Sequence, residues 1–269
     1  MLTVSQLYIY PIKSLGGIAV DSAEVTDRGL AHDRRYLLVT PDEVFITLRK
    51  YPRMALLQPE LRGGALSVRN TETGEVLRLP EPADGPTDRE VVIWQQTVAA
   101  RSVSAAADTW FSDALGMACH LVYMPDHSHR PVAPSSGLRP AGKIASFADA
   151  YPFLLIGEAS LADLNARYGG EVHFGMERFR PNIVCSGGAP YAEDDLTDFT
   201  INGISFTGLE PCARCGVPNV DPATGVANRV GEPLATLAGY RRVGGKVYFG
   251  MNLVHAGTGS IAVGDLILP

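Results

Sequence analysis

The residues best equipped to do chemistry are a Cys-x-x-Cys pair with an arginine inside it, Cys212-Ala213-Arg214-Cys215. Such a pair serves as half of a zinc site, as a redox dithiol, or as a place where one thiolate holds a cofactor metal. The segment after it narrows the geometry. In Asp221-Pro-Ala-Thr-Gly225 the proline fixes φ early and the glycine is free to take φ > 0 late, so the cysteines sit just before a loop of defined shape. The chain has four cysteines, Cys119, Cys185, Cys212 and Cys215, and neither of the first two belongs to a second pair. A closed zinc site would therefore need scattered partners. A thioredoxin-like dithiol opens a helix after a strand, whereas Pro218, Asp221 and Pro222 follow closely here. Burial of both thiols as small apolar side chains is the plain alternative. Arg214 weighs against it, because a guanidinium beside a thiol favours the thiolate, the form that ligates metals.

Four other clusters carry groups able to bind or orient a ligand. Tyr10-Pro-Ile-Lys-Ser14 puts Lys13 and Ser14 at a strand-to-loop transition, where backbone N–H groups and a point charge can hold an anion. His32-Asp-Arg-Arg-Tyr36 sets Arg34 and Arg35 at the start of a strand, with Asp33 as a local partner for one of them. Arg180 precedes Pro181-Asn182 and an apolar strand, and an arginine entering a buried strand needs a carboxylate or an anionic ligand. Asn252 lies among apolar residues in Tyr248-Phe-Gly-Met-Asn-Leu-Val254, where an amide must find hydrogen bonds. His127 and His129 could chelate a metal, though two histidines in a polar loop are usually solvated.

The elements that must position these groups are mostly strands. Short alternating or β-branched runs cover Leu2 to Ile9, Ala19 to Val25, Tyr36 to Val39, Val44 to Leu48 and Val91 to Trp94. Phe199-Thr-Ile-Asn-Gly-Ile-Ser-Phe206 reads as a hairpin, because Asn202-Gly203 suits a two-residue turn with positive φ at both positions. Helices are predicted over Ala105 to Leu115, stopped by Gly116, over Glu158 to Tyr168, stopped by Gly169-Gly170, and over Pro233 to Ala238 before Gly239. Sequential strands with few helical crossovers argue for barrels or sandwiches rather than a doubly wound sheet. The composition shifts to Pro, His, Ser and Arg between Met124 and Gly142, a linker or long functional loop, and a domain boundary falls there, giving 1–122 and 123–269.

Composition sets the remaining bounds. With 269 residues and 46% hydrophobic content the chain can bury one large or two modest cores. Its first residues lack a basic stretch followed by an apolar core, so no signal peptide is expected, and no apolar run reaches membrane-spanning length. Low cysteine usage fits a reducing cytoplasm. A net charge of −6 disfavours nucleic-acid binding and makes any cluster of arginines informative.

Taken in order, Tyr-Pro-Ile-Lys-Ser14, Asp33-Arg34, Arg178-Phe-Arg-Pro-Asn-Ile-Val184, Cys212-Ala-Arg-Cys215 with Val220-Asp-Pro-Ala-Thr-Gly225, Phe249-Gly-Met-Asn252 and Ile261-Ala-Val-Gly-Asp-Leu-Ile-Leu268 resemble a MOSC-domain protein preceded by its N-terminal β-barrel domain. The kin it is similar to are the mitochondrial amidoxime-reducing component and bacterial YcbX-type proteins. The resemblance implies a mainly β, α+β fold of two barrel domains with a cofactor cleft between them. It implies a molybdenum cofactor, a pterin dithiolene holding the metal, with Cys215 as thiolate ligand and catalytic residue; Cys212 matches a recurring cysteine without that role. Lys13, Ser14 and Arg34 match cofactor contacts from the first domain, and Arg180, Asn182, Ala213, Arg214 and Asn252 match contacts from the second. A pyridoxal-phosphate-binding description also attaches to the MOSC family.

Physical logic runs alongside: the pterin carries a phosphate, so the four cations suit it, and the two amides can bond its polar edge. The sequence departs from the mitochondrial pattern at Phe147-Ala-Asp-Ala-Tyr-Pro152, where Ala150 and Tyr151 replace small hydroxyl residues, so contacts there would have to come from the backbone. Neither a mitochondrial anchor nor a fused ferredoxin domain is expected. With Cys215 on molybdenum only three cysteines remain, too few for an iron–sulfur cluster with four Cys ligands. Electrons are thus expected from a separate donor protein of ferredoxin or flavin reductase type, for reduction of a small N-hydroxylated substrate with loss of its oxygen as water. Two other readings stay open: a persulfide carrier through Cys215, and a cofactor-binding module without turnover.

Overall fold

The structure, a computed structural model, describes residues 1–82, 85–133, 140–171 and 173–269. Its organising unit is a closed barrel of seven strands: β1 (Leu2–Ile9), β2 (Phe153–Gly157), β3 (Ile183–Ser186), β4 (Asp198–Ile201), β5 (Ile204–Ala213), β6 (Lys246–Ala256) and β7 (Leu266–Leu268). Hydrogen bonds run in the order β2-β3-β1-β7-β4-β5-β6, and β6 pairs back onto β2 through Leu154↔Asn252, closing the ring. The pairs are antiparallel except β2 with β3, which are parallel. A parallel pair needs a crossover, and helix α2 (Glu158–Tyr168) lies within it, ended by Gly169 at φ 63° as its glycine predicts.

Alternation places two cores on the strand faces. Val4, Leu7, Phe153, Leu155, Ile183, Phe206 and Leu253 fill the barrel, with Phe153 and Phe206 edge to face at 5.3 Å. Leu154, Ile156, Val184 and Phe249 pack with Leu164 of α2 and Leu237 of the short helix Leu234–Ala238. This explains the unbroken apolar run of β2, since a strand covered on both faces has no polar side to show. Cys185 is in the barrel core, and burial pushes its thiol up to about 12. Gly250 in β6 has φ 84°, and a Cβ there would meet Ile156 and the Leu155 carbonyl at 2.7 and 2.9 Å, so only glycine lets β6 lie against β2.

Residues before β2 form two further antiparallel sheets. One has four strands in the order Tyr36–Val39, His120–Tyr123, Gln96–Ser102, Arg89–Ile93; the other joins Leu57–Arg62, Ala65–Asn70 and Val76–Arg78. Helix α1 (Ala105–Leu115) buries Phe111 against them, with Ser104 capping its start and Gly116 at φ 66° ending it. The mainly β expectation therefore holds. Among the described residues no helix is long and apolar enough to cross a membrane.

Four local expectations change. The run Ala19 to Val25 breaks into Ile18–Val20, paired with β1, and Ser22–Thr26, paired with Gly259–Ala262. Val44 to Leu48 makes isolated bridges only, at Phe45 to Val39 and Val44 to Val92, because it crosses between neighbours rather than lying along one. Trp94 belongs to a turn after Arg89–Ile93, and Pro233 caps the third helix rather than entering it. The hairpin is as read: Ile201 faces Ile204 across Asn202 (φ 47°) and Gly203 (φ 76°).

The segment 124–142 falls partly on residues 134–139, outside the described residues, and the turn at 81–85 includes 83 and 84, likewise outside. The described part of the first is built into the molecule. Buried Arg28 donates to the carbonyls of Pro125, Asp126 and Ser128, and buried Arg130 donates to those of Ser146, Ala148 and Asp149. His127 and His129 are exposed.

Candidate functional site

Lys13, Ser14, Arg34, Arg180, Asn182, Ala213, Arg214, Cys215 and Asn252 all line one cleft, partly open to solvent. Its walls come from both the 1–122 and 123–269 segments. The loop after β1 supplies Lys13 and Ser14; the chain entering Tyr36–Val39 supplies Arg34; the turn before β3 supplies Arg180; and the end of β5 supplies the cysteine segment.

Three of these residues sit in the left-handed region: Ser14 at φ 71°, Arg34 at 49° and Arg180 at 58°. Such backbone costs about 1–3 kcal/mol per residue and persists where surrounding structure enforces it, typically at binding sites. Hydrogen bonds do so here. Arg34 N–H donates to the Tyr10 carbonyl at 2.8 Å, and Asp33 accepts from Tyr10 N–H at 2.8 Å while holding Arg34 Nη1 at 2.6 Å. The guanidinium carbons of Arg34 and Arg180 lie 4.5 and 4.3 Å from the centroid of the buried Tyr10 ring. Burial pushes the Tyr10 phenol up, and its hydroxyl donates to the Pro181 carbonyl at 3.1 Å.

Arg180 is the exposed nerve of this charge cluster. Its Nη1 donates to the Leu15 carbonyl at 2.6 Å, yet among the described residues no carboxylate forms an ion pair with it, and burial followed by the nearby Arg34 charge pulls its proton affinity down. Arg214 donates to the Phe179 carbonyl at 2.7 Å and to Cys212 Sγ at 3.2 Å, while its buried Nε has no partner among the described residues. Lys13 is paired with Asp149 at 2.5 Å, and burial lowers its pKa against the opposing pull of that carboxylate.

The arginine of the Cys-x-x-Cys pair thus bonds the first cysteine, near the end of β5, and among the described residues makes no bond to the second. Even so, burial outweighs Arg214 and pushes the Cys212 thiol up, so the expected thiolate is not created there. Cys215 is half-buried and turned to the cleft at the start of a loop. That loop has the shape read from its sequence: Asp221 accepts from Ala223 and Thr224 N–H groups, and Gly225 has φ 64°. Arg178 clamps it, with an ion pair to Asp221 at 2.7 Å and bonds to the carbonyls of Pro218 and Val220.

Two amides behave differently. Asn182, 1% exposed, accepts from Arg34 Nη1 and the Leu154 N–H and donates to the Tyr8 carbonyl. It orients Arg34 and ties β1 to β2. Asn182→Ala should lower the melting temperature by roughly 6–10 °C, since leaving these buried groups short costs about 3 kcal/mol; an unchanged melt would show that the amide bonds are dispensable. Asn252 is half-buried, and its amide has no hydrogen bond among the described residues.

Sequence reasoning left out Asp149, Ala150 and Tyr151, all of which line the cleft, with Ala148, Thr47, Arg49 and Trp94. Asp149 is the sole acidic lining residue described. Loss of hydration on the cleft wall opposes its charge, yet Lys13, Arg34 and Arg130 hold its carboxyl below the usual carboxylate range, and the side chain stays exposed to solvent. Arg130 gathers the carbonyls around it, a role that only a buried arginine in a polar-looking segment could have suggested.

A mainly β chain whose closed barrel ends in a cationic cleft with a half-exposed thiol is the class these features define. Residues 1–118 match the family model described as the MOSC N-terminal beta barrel domain, and residues 143–268 match the MOSC domain. The chain is 35% identical to Mitochondrial amidoxime-reducing component 1 of Homo sapiens over 98% of its own length and 81% of that protein. It is also 35% identical to Molybdenum cofactor sulfurase of Solanum lycopersicum, over 99% of this chain but 35% of that protein, so it spans about a third of the sulfurase's length. The chain belongs to the MOSC family, and carries both its N-terminal barrel domain and the MOSC domain.

Proposed function

We propose that this protein is a molybdenum-cofactor-dependent reductase of N-hydroxylated compounds, with Cys215 as the protein ligand to the metal and electrons delivered by a separate donor protein. The observation that carries the reading is the meeting of a half-exposed thiol with Arg34, Arg180, Arg214 and Lys13 in one cleft. The residues fit an anionic dithiolene pterin. Among the described residues the buried Nε of Arg214 has no partner and Arg180 forms no ion pair, so an oxyanion entering there gains bonds otherwise unmade. Asn252, whose amide has no hydrogen bond among the described residues, can serve a heterocycle edge, and Ala213 lines the same cleft.

When bound, the cofactor supplies the two-electron chemistry, and the chain supplies position and charge. Arg34, fixed by Asp33 and Asn182, holds its guanidinium in one direction. Reduction of an N–O bond also consumes protons, and the Lys13–Asp149 pair keeps a proton at Lys13 Nζ on the cleft wall, with solvent reaching Asp149 to replenish it.

Protein made in a host able to synthesise molybdopterin should contain close to one molybdenum per chain and reduce benzamidoxime to benzamidine when given a chemical or protein donor. A molybdenum-free product from that host, or a loaded protein inert with amidoximes, hydroxylamines and N-oxides alike, would sink the proposal. The equal identity to a cofactor sulfurase favours one second reading, a persulfide carried on Cys215. It predicts sulfane sulfur releasable by cyanide from metal-free protein, which the reductase reading does not.

A further inference from the structure

At the rim of the cleft a tryptophan occupies a place that suits a tryptophan badly. Ile93 pairs with Gln96, so Trp94 is the first of two residues in a tight turn, and its φ is 55°. Glycine or asparagine is the usual occupant of such a position, and a bulky residue there is strained. Packing does not account for it. The side chain touches the Phe45 ring, centroids 4.9 Å apart, but 45% of the residue stays exposed, and it lines the cleft. Arg49 lies over the same indole, its guanidinium carbon 5.2 Å from the centroid, with no ion pair or hydrogen bond among the described residues. Lys13 Nζ sits 5.9 Å from the Phe45 ring, so a run of flat groups leads from the ion pair on the wall out to solvent.

Backbone strain kept at an exposed aromatic marks a binding role. Two flat surfaces, an indole and a guanidinium, offer stacking to a planar π-system. The platform selects further: Arg49 is itself a cation with no ion pair among the described residues, so a cationic guest stacking beside it is repelled. We infer that Trp94 and Arg49 form a stacking platform that selects neutral, planar, conjugated N-hydroxylated substrates, such as aromatic amidoximes, over saturated ones. This rests on the reductase reading for the N-hydroxyl group, while the stacking itself can be tested without turnover.

The chain has two tryptophans, so Trp110→Phe in α1 leaves Trp94 as the single indole emitter. That protein, isolated from a molybdopterin-producing host, is titrated with benzamidoxime and with cyclohexanecarboxamidoxime, which has the same head group on a saturated ring. Saturable quenching by the aromatic compound, with a Kd about tenfold below that of the saturated one, is expected. Trp94→Asn, which suits the turn, should bring the two affinities, read by calorimetry, to within about twofold of each other with the melting temperature kept or raised. Trp94 emission indifferent to benzamidoxime, or a Trp94→Asn protein that melts lower yet keeps the aromatic preference, would assign the ring to packing and overturn the inference. Quenching without turnover would leave the platform standing and count against the reductase reading instead.

Discussion

If Cys215 is the metal ligand proposed above, Cys215→Ser should lose amidoxime reduction by more than about 100-fold, because even the outer partners of a metal are worth 10- to 100-fold. Its molybdenum content should fall with the activity. The fold does not follow. Cys215 is half-buried in a loop held by Arg178 and Asp221, so a one-atom change should move the melting temperature by no more than about 2 °C. Cys212→Ser is the control that gives the result meaning. Its sulfur accepts from Arg214 Nη1 and packs against the Phe249 cluster, and a hydroxyl can accept the same bond, so activity should stay within about fivefold of the parent. Loss of activity in the Cys212 variant with full activity in the Cys215 variant would exchange the two roles; full activity in both would remove the thiolate from the chemistry.

The distance between sequence and structure is uneven, and its pattern is physical. Helices α1 and α2 were legible to the residue because Gly116 and Gly169 end them in left-handed conformations that few other residues adopt, and the Asn202-Gly203 hairpin for the same reason. Those signals are local. Barrel closure was not legible residue by residue, since β1 pairs with Ile183–Ser186 and Leu266–Leu268, partners near the far end of the chain. The cations that the sequence groups, Lys13, Arg34, Arg180 and Arg214, line one cleft, but their wiring is not in the sequence. Nothing in Cys-Ala-Arg-Cys says that Arg214 turns to Cys212, and nothing near Phe147 says that Asp149 meets Lys13, 136 residues away, at 2.5 Å. Asn182 lines the cleft as its match implies, and the sequence does not show that its amide also orients Arg34.

Arg180 offers the sharpest test of whether that charge cluster exists for a ligand or for the fold. Its guanidinium donates to the Leu15 carbonyl and lies over the Tyr10 ring, lacks an ion-pair partner among the described residues, and is pulled toward its neutral form by burial. A partly buried charge so poorly compensated is held at a cost, and an apolar side chain of similar length in its place is expected to be neutral or stabilising. Arg180→Met should therefore leave the melting temperature of metal-free protein unchanged or raise it by several degrees, roughly 2–4 °C per kcal/mol. Cofactor retention should move the opposite way, with molybdenum after gel filtration falling at least about tenfold, because a charge-assisted bond to the phosphate is worth about 1.5–3 kcal/mol and Tyr10 loses a stacking partner beside it. If metal-free Arg180→Met instead melts far below the parent while the surviving folded protein keeps its molybdenum, the arginine belongs to the scaffold. A stable, folded variant that still retains full molybdenum would mean that the anion binds elsewhere than against Arg180, and the assignment of this cleft to a phosphate-bearing pterin would have to be given up.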